Sequence, residues 1–359
     1  MTKRTSRLLV IGDHFITPQL MRQKLGALTE GFEVVEKSTP FPLEPFRNIA
    51  EVREASGSEE QMIDALKGVS ICVAHHAPLT ARVLEHAPDL RLFVVCRGGP
   101  VNVNVEAATQ HHVTIAYTPA RNAAATAEHT IAMMLSTLRG IPRADASIRQ
   151  GQWEGDYTWE TACFEIETST VGLIGYGAIG RIVGRILHSF GATVLVYDPF
   201  TRLDADDHVV SVHLPELLAR SNIVSLHARE TDKTRGILAA AEIAQIPQGS
   251  VIVNCARGSL MDYDALADAL RSGHLFAAAA DVFPEEPLPA HSELLQLKNF
   301  VMTPHIAGGT RQAAEKAAAI AAEEVRRFLT GEPLRFCANP EIAAMTRECV
   351  PPIAEMGGQ

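Results

Sequence analysis

The segment VGLIGYGAIGRIVGRILHSFGATVLVYD, residues 171–198, constrains the fold more than any other part of the sequence. An apolar run leads into glycines at Gly175, Gly177 and Gly180, a helical pattern follows, and a second apolar run ends in Asp198. Glycines at this spacing permit a tight turn, close approach of a pyrophosphate to the backbone, and close packing of helix on strand. Because strand, motif, helix, strand and acid occur in this order, the segment predicts a Rossmann-type βαβ unit.

We predict that the turn and the helix that follows it bind the phosphates of a dinucleotide through backbone N–H groups. The residues assigned to this contact are Gly175, Tyr176, Gly177, Ala178, Ile179 and Gly180. Asp198 is expected to accept hydrogen bonds from the adenine-side ribose, and its charge would repel the additional phosphate of NADP. The predicted cofactor is therefore NAD.

Short apolar runs alternate with helix-length segments along most of the chain. One series contains LLVIG, FEVVE, VSICVAH, LRLFVVC and VTIAYT, and a second begins at TVGLIGY and ends at FVMTPH. This alternation predicts parallel βαβ units. Residues 122–139 are predicted to form a long helix joining two domains, and residues 311–329 a second strong helix. Residues 140–169 lack a sustained period and are predicted to form a loop with turns.

Composition limits the classes of protein to which the chain can belong. Its 359 residues are 47% apolar and 21% charged, which is typical of a globular protein with more than one domain. A net charge of -10 without a long basic run argues against nucleic acid as a partner. We find no membrane-length apolar stretch and no signal peptide, and we expect a cytoplasmic protein. The six cysteines form no CxxC pair, so we expect reduced thiols and no metal site.

Arg257, Glu286 and His305 each follow a strand-like run of the second series. Because ligands bind at the carboxyl ends of strands in open α/β sheets, we expect these side chains to converge there. Hydride exchange with a 2-hydroxy acid needs a cation for the carboxylate and carbonyl, and an acid/base for the hydroxyl proton. A carboxylate beside an imidazole favours its protonated form. The three residues are therefore predicted to be catalytic, with Glu285 as a rival to Glu286.

Together, GLIGYGAIGR, NCARGSL, DVFPEEP and TPHIAGGT resemble the signature segments of the D-isomer-specific 2-hydroxyacid dehydrogenases. The resemblance extends from Leu8 to about Pro340. It implies an α/β fold with two Rossmann-like, doubly wound parallel-sheet domains, the nucleotide domain being inserted in the substrate domain. The expected boundaries are 1–120 with 308–340 for a flavodoxin-like substrate domain, 121–307 for the NAD-binding domain, and 341–359 for a C-terminal tail.

The resemblance also assigns roles to individual residues. It implies that Arg257, Glu286 and His305 form the catalytic set, and it prefers the glutamate that directly precedes the proline. Asp281 would contact the nicotinamide carboxamide, and the backbone of two further residues, Cys255 and Ala256, would lie against the cofactor. The family likeness further implies a homodimer built on the nucleotide domain, with the helix at 122–139 and the loop from Trp153 to Trp159 as the candidate interface.

The substrate side departs from the family pattern. In CRGGPVNVNVEAA, the N–H groups of a glycine loop would hold the substrate carboxylate, but the segment is shorter and carries Asn102 and Asn104 near the expected acids. The histidines of AHHAP replace small or basic residues of a substrate-lining loop. Arg97 and Arg121 are each either a ligand for a phosphate or second carboxylate, or a surface ion-pair member. The predicted substrate-binding residues are His75, His76, Arg97, Gly98, Gly99 and Arg257.

The expected function is NAD-dependent hydride transfer between nicotinamide and a small polar D-2-hydroxy acid or 2-keto acid. One alternative is an NADH-gated binding protein with little turnover, similar to the transcriptional corepressors related to this family. Another is formate oxidation, against which Glu286 argues because the corresponding relatives carry glutamine at that position. Because a fold can host many chemistries, the identity of the hydroxy acid stays open.

Overall fold

The computed structural model of the chain describes residues 6–153, 158, 162–203 and 208–342. The chain divides into two compact units. Unit 1 consists of Met1–Asn122 and Gly309–Gln359, and unit 2 of Ala123–Gly308. Unit 2 is therefore a continuous segment that interrupts the sequence of unit 1.

Strands and helices alternate along both units. The strands are β1 (Arg7–Gly12), β2 (Glu33–Ser38), β3 (Arg47–Ile49), β4 (Val52–Ala55), β5 (Val69–Ala74), β6 (Leu92–Val95), β7 (Thr114–Tyr117), β8 (Thr170–Ile174), β9 (Thr193–Tyr197), β10 (Val210–Ser211), β11 (Ile223–Leu226), β12 (Ser250–Asn254), β13 (Leu275–Ala280) and β14 (Phe300–Met302). The helices are α1 (Pro18–Leu25), α2 (Glu59–Ala65), α3 (Ala81–Glu85), α4 (Val105–Gln110), α5 (Ala123–Leu138), α6 (Ile141–Arg149), α7 (Ala178–Ser189), α8 (Leu214–Arg220), α9 (Ala240–Ile243), α10 (Tyr263–Arg271) and α11 (Arg311–Thr330).

Unit 1 is built on a parallel sheet with the strand order β2-β1-β5-β6-β7. Its two faces are covered by different helices. In β5, Cys72 and Ala74 belong to the core formed with α2, α3 and α4, whereas Ile71 and Val73 belong to the core formed with α1 and α11. Because successive side chains of a strand point to opposite faces, one apolar run supplies both cores.

Unit 2 is built on a parallel sheet with the order β10-β9-β8-β11-β12-β13-β14. In β12, Val251 and Val253 pack with α5 and α7, and Ile252 packs with α8, α9 and α10. The strand order reverses between β8 and β11, which is where open α/β sheets bind ligands. The two sheets confirm the prediction of doubly wound, Rossmann-like architecture.

The predicted helices at residues 122–139 and 311–329 are confirmed as α5 and α11. The prediction that residues 140–169 form only loop and turns is wrong, because Ile141–Arg149 form α6. Pro142 lies in the first turn, where no backbone donor is lost, and Ile141 and Ile148 are 52% and 58% exposed, so the helix shows no buried apolar stripe. The predicted interface loop from Trp153 to Trp159 falls largely outside the described residues, as does the end of the predicted tail.

Two further features bear on the sequence predictions. In the part of the chain that the structure describes, none of the helices has the length and apolar character needed to cross a bilayer. The thiols of Cys72, Cys96, Cys163, Cys255 and Cys337 are free.

Candidate active site

The glycine motif forms the turn between β8 and α7, and its three glycines differ in the space around them. Gly175 has φ of +99°, and a Cβ there would lie 2.6 Å from the backbone nitrogen of Ala228. A Cβ at Gly180 would lie 2.5 Å from the carbonyl oxygen of Gly175. A Cβ at Gly177 would have no neighbour within 4 Å. Two of the glycines are therefore required by the protein's own packing, whereas Gly177 leaves space beside the backbone.

The N-terminus of α7 is suited to an anion. Gly177 is the N-cap and no side chain caps the helix. The N–H groups of Gly177, Ala178 and Ile179 donate no hydrogen bond within the described ranges. Unsatisfied N–H groups and the positive end of the helix dipole attract a phosphate. The turn therefore fits the pyrophosphate of a dinucleotide, with Gly177 providing the space for its approach.

Asp198 lies at the end of β9, beside the glycine turn. Its Oδ2 accepts the N–H of Tyr176 at 2.8 Å, and its Oδ1 accepts the N–H groups of Phe200 and Thr201 at 2.9 and 3.1 Å. Burial raises the pKa of Asp198, but these hydrogen bonds outweigh burial and hold it below its ordinary value. The Thr201 side chain also forms a hydrogen bond with this carboxylate, so the protein's own donors hold Asp198 in its ionised form.

His305 and Glu286 are in direct contact. The Nδ1 atom of His305 lies 2.6 Å from Oε2 of Glu286, and Oε1 of Glu286 accepts the N–H of Phe283 at 2.8 Å. Both side chains are partly exposed, with 26% and 19% of their surfaces accessible. The neighbouring Glu285 is exposed and has no hydrogen bond to His305 in the described chain. The structure thus places Glu286, and not its rival, on the histidine.

The loop that carries His305 is fixed by Asp281, which is fully buried. Oδ1 of Asp281 accepts the Thr303 hydroxyl at 2.6 Å and the Ile306 N–H at 2.9 Å, and Oδ2 accepts the Ala307 N–H at 2.9 Å. The carbonyl oxygen of Asp281 accepts the N–H of His305 at 2.8 Å. This carboxylate, which we predicted to contact nicotinamide, therefore binds the Thr303 hydroxyl before the histidine and two backbone N–H groups after it.

Arg257 lies at the start of a turn held by Asn254 at the end of β12. The Asn254 side chain donates to the Arg257 carbonyl at 2.9 Å, and its Oδ1 accepts the Ala256 N–H at 3.0 Å. The turn then passes against the segment that precedes Glu286, because a Cβ at Gly258 would lie 2.0 Å from the carbonyl oxygen of Phe283. Close packing at Gly258 therefore fixes the arginine turn relative to the glutamate loop.

The predicted substrate residues of unit 1 follow β5 and β6. Gly98 is exposed, and neither Gly98 nor Gly99 donates a backbone hydrogen bond in the described residues. Arg97 is buried, donates to the carbonyl oxygen of Glu54 at 2.9 Å and forms an ion pair with its carboxylate. Nη1 of Arg97 also lies 2.7 Å from Nδ1 of His76. The glycines are thus accessible, whereas His76 and Arg97 lie beneath the surface.

His75 is buried beside Asp13, with its Nδ1 atom 2.6 Å from Oδ2 of that residue. Asp13, His75 and His76 have potential ligand atoms within 4.8 Å of one another, a cluster that the prediction of no metal site did not foresee. The pKa of each histidine is held well below its usual value, chiefly by burial, so both are neutral near pH 7. The Arg97 guanidinium beside His76 opposes a cation at this cluster.

The sequence analysis did not identify the residues that hydrogen-bond to the loops carrying the predicted catalytic side chains. Nε2 of His129 in α5 lies 3.1 Å from the Thr303 hydroxyl and 3.5 Å from Asp281. The hydroxyl of Tyr263 in α10 donates to the carbonyl oxygen of Val282 and accepts from Asn254 at 3.3 Å. The only sequence signal was an asparagine at the end of an otherwise apolar strand; the histidine and tyrosine lie within helical patterns.

Three comparisons with known proteins agree with this geometry. Residues 131–307 match the model of the NAD binding domain of D-isomer specific 2-hydroxyacid dehydrogenases. D-3-phosphoglycerate dehydrogenase of Mycobacterium tuberculosis is 34% identical over 325 residues, which are 89% of this chain and 60% of the relative. Glyoxylate reductase of Korarchaeum cryptofilum is 29% identical over 334 residues, covering 91% of this chain and 96% of the relative.

A solved structure shows the same fold. The apo-structure of D-lactate dehydrogenase from Escherichia coli superposes with a TM-score of 0.75 and 26% identity, covering 92% of this chain and 99% of that one. The chain spans about three fifths of the length of the phosphoglycerate dehydrogenase relative, that is 60%. The proteins it resembles act on short hydroxy acids or keto acids, as their names state.

Proposed function

Because the chain belongs to the D-isomer specific 2-hydroxyacid dehydrogenases, we propose that it is an NAD-dependent oxidoreductase acting on a small polar D-2-hydroxy acid or its 2-keto acid. The observation that carries the proposal is the 2.6 Å contact between His305 and Glu286, at the carboxyl edge of the sheet that also carries the dinucleotide turn. The acid/base and the cofactor turn belong to one unit. This supports hydride transfer to the carbonyl carbon and proton transfer to the carbonyl oxygen of the same substrate.

His305 is the proton carrier in this proposal. An ionised carboxylate only accepts hydrogen bonds, so Nδ1 of His305 carries the proton shared with Glu286, and Nε2 exchanges the other proton with the substrate. During reduction Nε2 gives its proton to the carbonyl oxygen, and during oxidation it takes the hydroxyl proton. Glu286 stabilises the imidazolium and fixes the ring, because its other oxygen is held by the Phe283 N–H.

When bound, NAD would accept the hydride during oxidation and NADH would donate it during reduction. We assign its pyrophosphate to the turn at residues 175–180, where Gly177 leaves space and the first N–H groups of α7 donate no hydrogen bond within the described ranges. Asp198 would hold the adenine-side ribose, while the backbone of Cys255 and Ala256 and the carboxylate of Asp281 would border the nicotinamide. Unit 2 is accordingly the nucleotide domain in this proposal, with the boundaries 121–307 expected from the sequence.

Substrate binding is assigned to cationic and N–H donors. The Arg257 guanidinium would pair with the substrate carboxylate and carbonyl, because its planar fork matches two oxygens. From unit 1, the N–H groups of Gly98 and Gly99 would bind the carboxylate, an assignment supported by their lack of backbone partners in the described chain. The buried His75, His76 and Arg97 would shape this loop from beneath. Residues 1–120 with 308–340 are thus proposed as the substrate domain.

The test is NADH oxidation by the purified protein against a panel of 2-keto acids, including glyoxylate, hydroxypyruvate and phosphohydroxypyruvate, with NADPH in parallel. We expect turnover of at least one acid with NADH, and its loss in His305→Asn with NADH affinity retained. His188→Asn is the matched control, because that histidine is exposed on α7. Wild-type turnover by His305→Asn would contradict the proton-carrier role, and silence across the panel would contradict the proposed activity.

We also propose that the protein is a cytoplasmic homodimer built on unit 2. The support is an apolar surface on and after α6, where Ile141, Ile148 and Trp153 are exposed by 52%, 58% and 91%. Free thiols at the described cysteines are consistent with a reducing compartment. Light scattering at micromolar concentration should give twice the chain mass, and Ile148→Glu should shift it toward the monomer. A wild-type monomer would contradict the proposed dimer. Recovery of the protein in a membrane or secreted fraction would contradict the cytoplasmic location.

A further inference from the structure

Unit 1 has a switch point of its own, apart from the site proposed in unit 2. Its strand order reverses between β1 and β5, and charged or titratable side chains follow both strands. Asp13 comes directly after β1, and His75 directly after β5; both are buried. In doubly wound sheets a crevice outside the carboxyl ends at the switch point is where ligands bind. The groups around Asp13 and His75 therefore form a second candidate ligand-binding site.

Most charges at this edge are paired. Arg97 is paired with Glu54. Oδ1 of Asp13 accepts the N–H groups of Phe15 and Ile16, both at 2.9 Å, and Oδ2 is 2.6 Å from Nδ1 of His75. The anions of the cluster are therefore already bound to other donors.

Arg121 is a cation of this region for which the described residues provide no hydrogen-bond partner at Nε or Nη1. Both atoms are shut off from solvent. Burial, and after it the positive charge of Arg97, lower its pKa to about 10, so Arg121 still carries its charge at neutral pH. An unpaired buried charge is costly, and buried polar groups without a protein partner commonly bind water, an ion or a ligand.

We propose that Arg121 binds an oxyanion of the substrate, a carboxylate or a phosphate, that is separate from the carboxylate assigned to Gly98 and Gly99. A guanidinium presents a planar fork that matches two oxygens of such a group. The substrate class is then a 2-hydroxy acid that carries a second anionic group. This identification of the ligand as the substrate rests on the proposed function, whereas binding of an oxyanion at Arg121 does not.

A cation is the less suitable occupant of the same edge, although Asp13, His75 and His76 approach one another closely. The Nδ1 atoms of both histidines already contact Asp13 or Arg97, and two guanidinium charges act on the cluster. Positive charge in a poorly solvated region repels a metal ion and attracts an anion. The charge balance therefore favours the oxyanion.

The test is isothermal titration of the full-length protein, saturated with NADH so that no hydride acceptor is present, with three hydroxy acids. Glycolate carries one anionic group, D-malate a second carboxylate, and D-3-phosphoglycerate a phosphate. We expect at least one of the two latter ligands to bind roughly tenfold or more tightly than glycolate, the effect of one charge-assisted contact. The ligand that shows the preference identifies the group as carboxylate or phosphate.

Arg121→Met should abolish that preference, and Arg121→Lys should keep part of it. Arg82→Met is the matched control, because Arg82 is an exposed arginine of unit 1 paired with Glu59 and Glu60. Equal binding of all three ligands by the wild type, or an unchanged preference in Arg121→Met, would overturn the proposal. If the preference is present but no keto acid is reduced, the proposed function fails and the oxyanion site stands.

Folding of the variant is monitored separately by its thermal midpoint. Arg121→Met should unfold at or above the wild-type midpoint, because it removes a charge whose buried Nε and Nη1 atoms have no hydrogen-bond partner among the described residues. A midpoint lowered by several degrees would mean that Arg121 is already stabilised by the protein itself, and this would overturn the proposal.

Discussion

Asp281 holds His305 by its backbone: the His305 N–H donates to the Asp281 carbonyl at 2.8 Å, and the Asp281 carboxylate binds the residues on either side. His305 itself has φ of +53°, in the left-handed region that non-glycine residues rarely adopt. Such a conformation persists only where the surroundings determine it. The buried carboxylate therefore fixes the backbone from which the proposed proton carrier projects.

Asp281→Asn should weaken both the fold of unit 2 and catalysis. An amide can still accept at one oxygen, but its NH₂ group would face a backbone N–H, such as that of Ala307, and leave it unsatisfied. We expect a loss of about 1–3 kcal/mol in the free energy of unfolding, measured in denaturant, and a lower kcat with nearly unchanged NADH affinity. Wild-type stability and kcat together would show that the carboxylate does not position the loop.

Glu286→Gln should reduce kcat/KM by about 10²–10⁴, the range of general acid–base catalysis. The amide can still accept the Phe283 N–H, but its NH₂ then faces Nδ1 of His305 and favours the tautomer with the proton on Nε2. Glu285→Gln is the matched control and should stay within about twofold, the scatter of an exposed neutral substitution. Similar losses in both variants would contradict the assignment to Glu286.

Two glycines of the cofactor turn should respond differently to alanine. Gly177→Ala places its methyl group in open space, so the unfolding midpoint should be retained while NADH binding weakens roughly tenfold or more, or about 1.4 kcal/mol. Gly180→Ala places a methyl group 2.5 Å from the Gly175 carbonyl oxygen and should cost about 1–3 kcal/mol of stability. Calorimetric titration and thermal unfolding check the pair. Equal loss of stability would show that Gly177 is structural.

The sequence predicted features that depend on short-range pattern. The glycine turn, Asp198 and the strand-end positions of Arg257, Glu286 and His305 were accessible because parallel strands place their carboxyl ends at one edge, and doubly wound topology follows from the alternation. Residues that act through long-range contacts could not be predicted from the sequence. His129 reaches Thr303 across 174 positions, and nothing in the pattern of α5 distinguishes a buried helix residue from a supporting one.

Burial of the histidine pair was equally inaccessible. Adjacent histidines after a strand suit a surface loop as well as a core, and only the fold shows His75 beside Asp13, 62 positions away. The helix α6 was missed because its isoleucines are exposed, so its apolar positions do not report on a buried face. In both cases the deciding contacts are made by the tertiary structure and leave no local period.

The Asp13 carboxyl should make stability fall as pH rises. Burial is the largest effect on it and raises its pKa from 3.8 to about 6, against the hydrogen bonds from Ile16 and Phe15. The folded protein therefore retains this proton when the unfolded chain has lost it, so its contribution is full below pH 4 and lost as pH rises through about 6. A shift of this size corresponds to at most about 3 kcal/mol.

Urea unfolding between pH 4 and 7 checks this prediction by comparison with Asp13→Asn, which is neutral throughout. The amide oxygen can accept the same backbone N–H groups. Its NH₂ group can donate to Nδ1 of His75 in the neutral tautomer with the proton on Nε2, because burial keeps this histidine uncharged. The wild type should therefore lose stability relative to Asp13→Asn as the pH is raised, whatever the other carboxylates contribute. Parallel stability curves would mean that Asp13 is ionised in the folded protein across this range and that the positive charge of Arg121 compensates its burial.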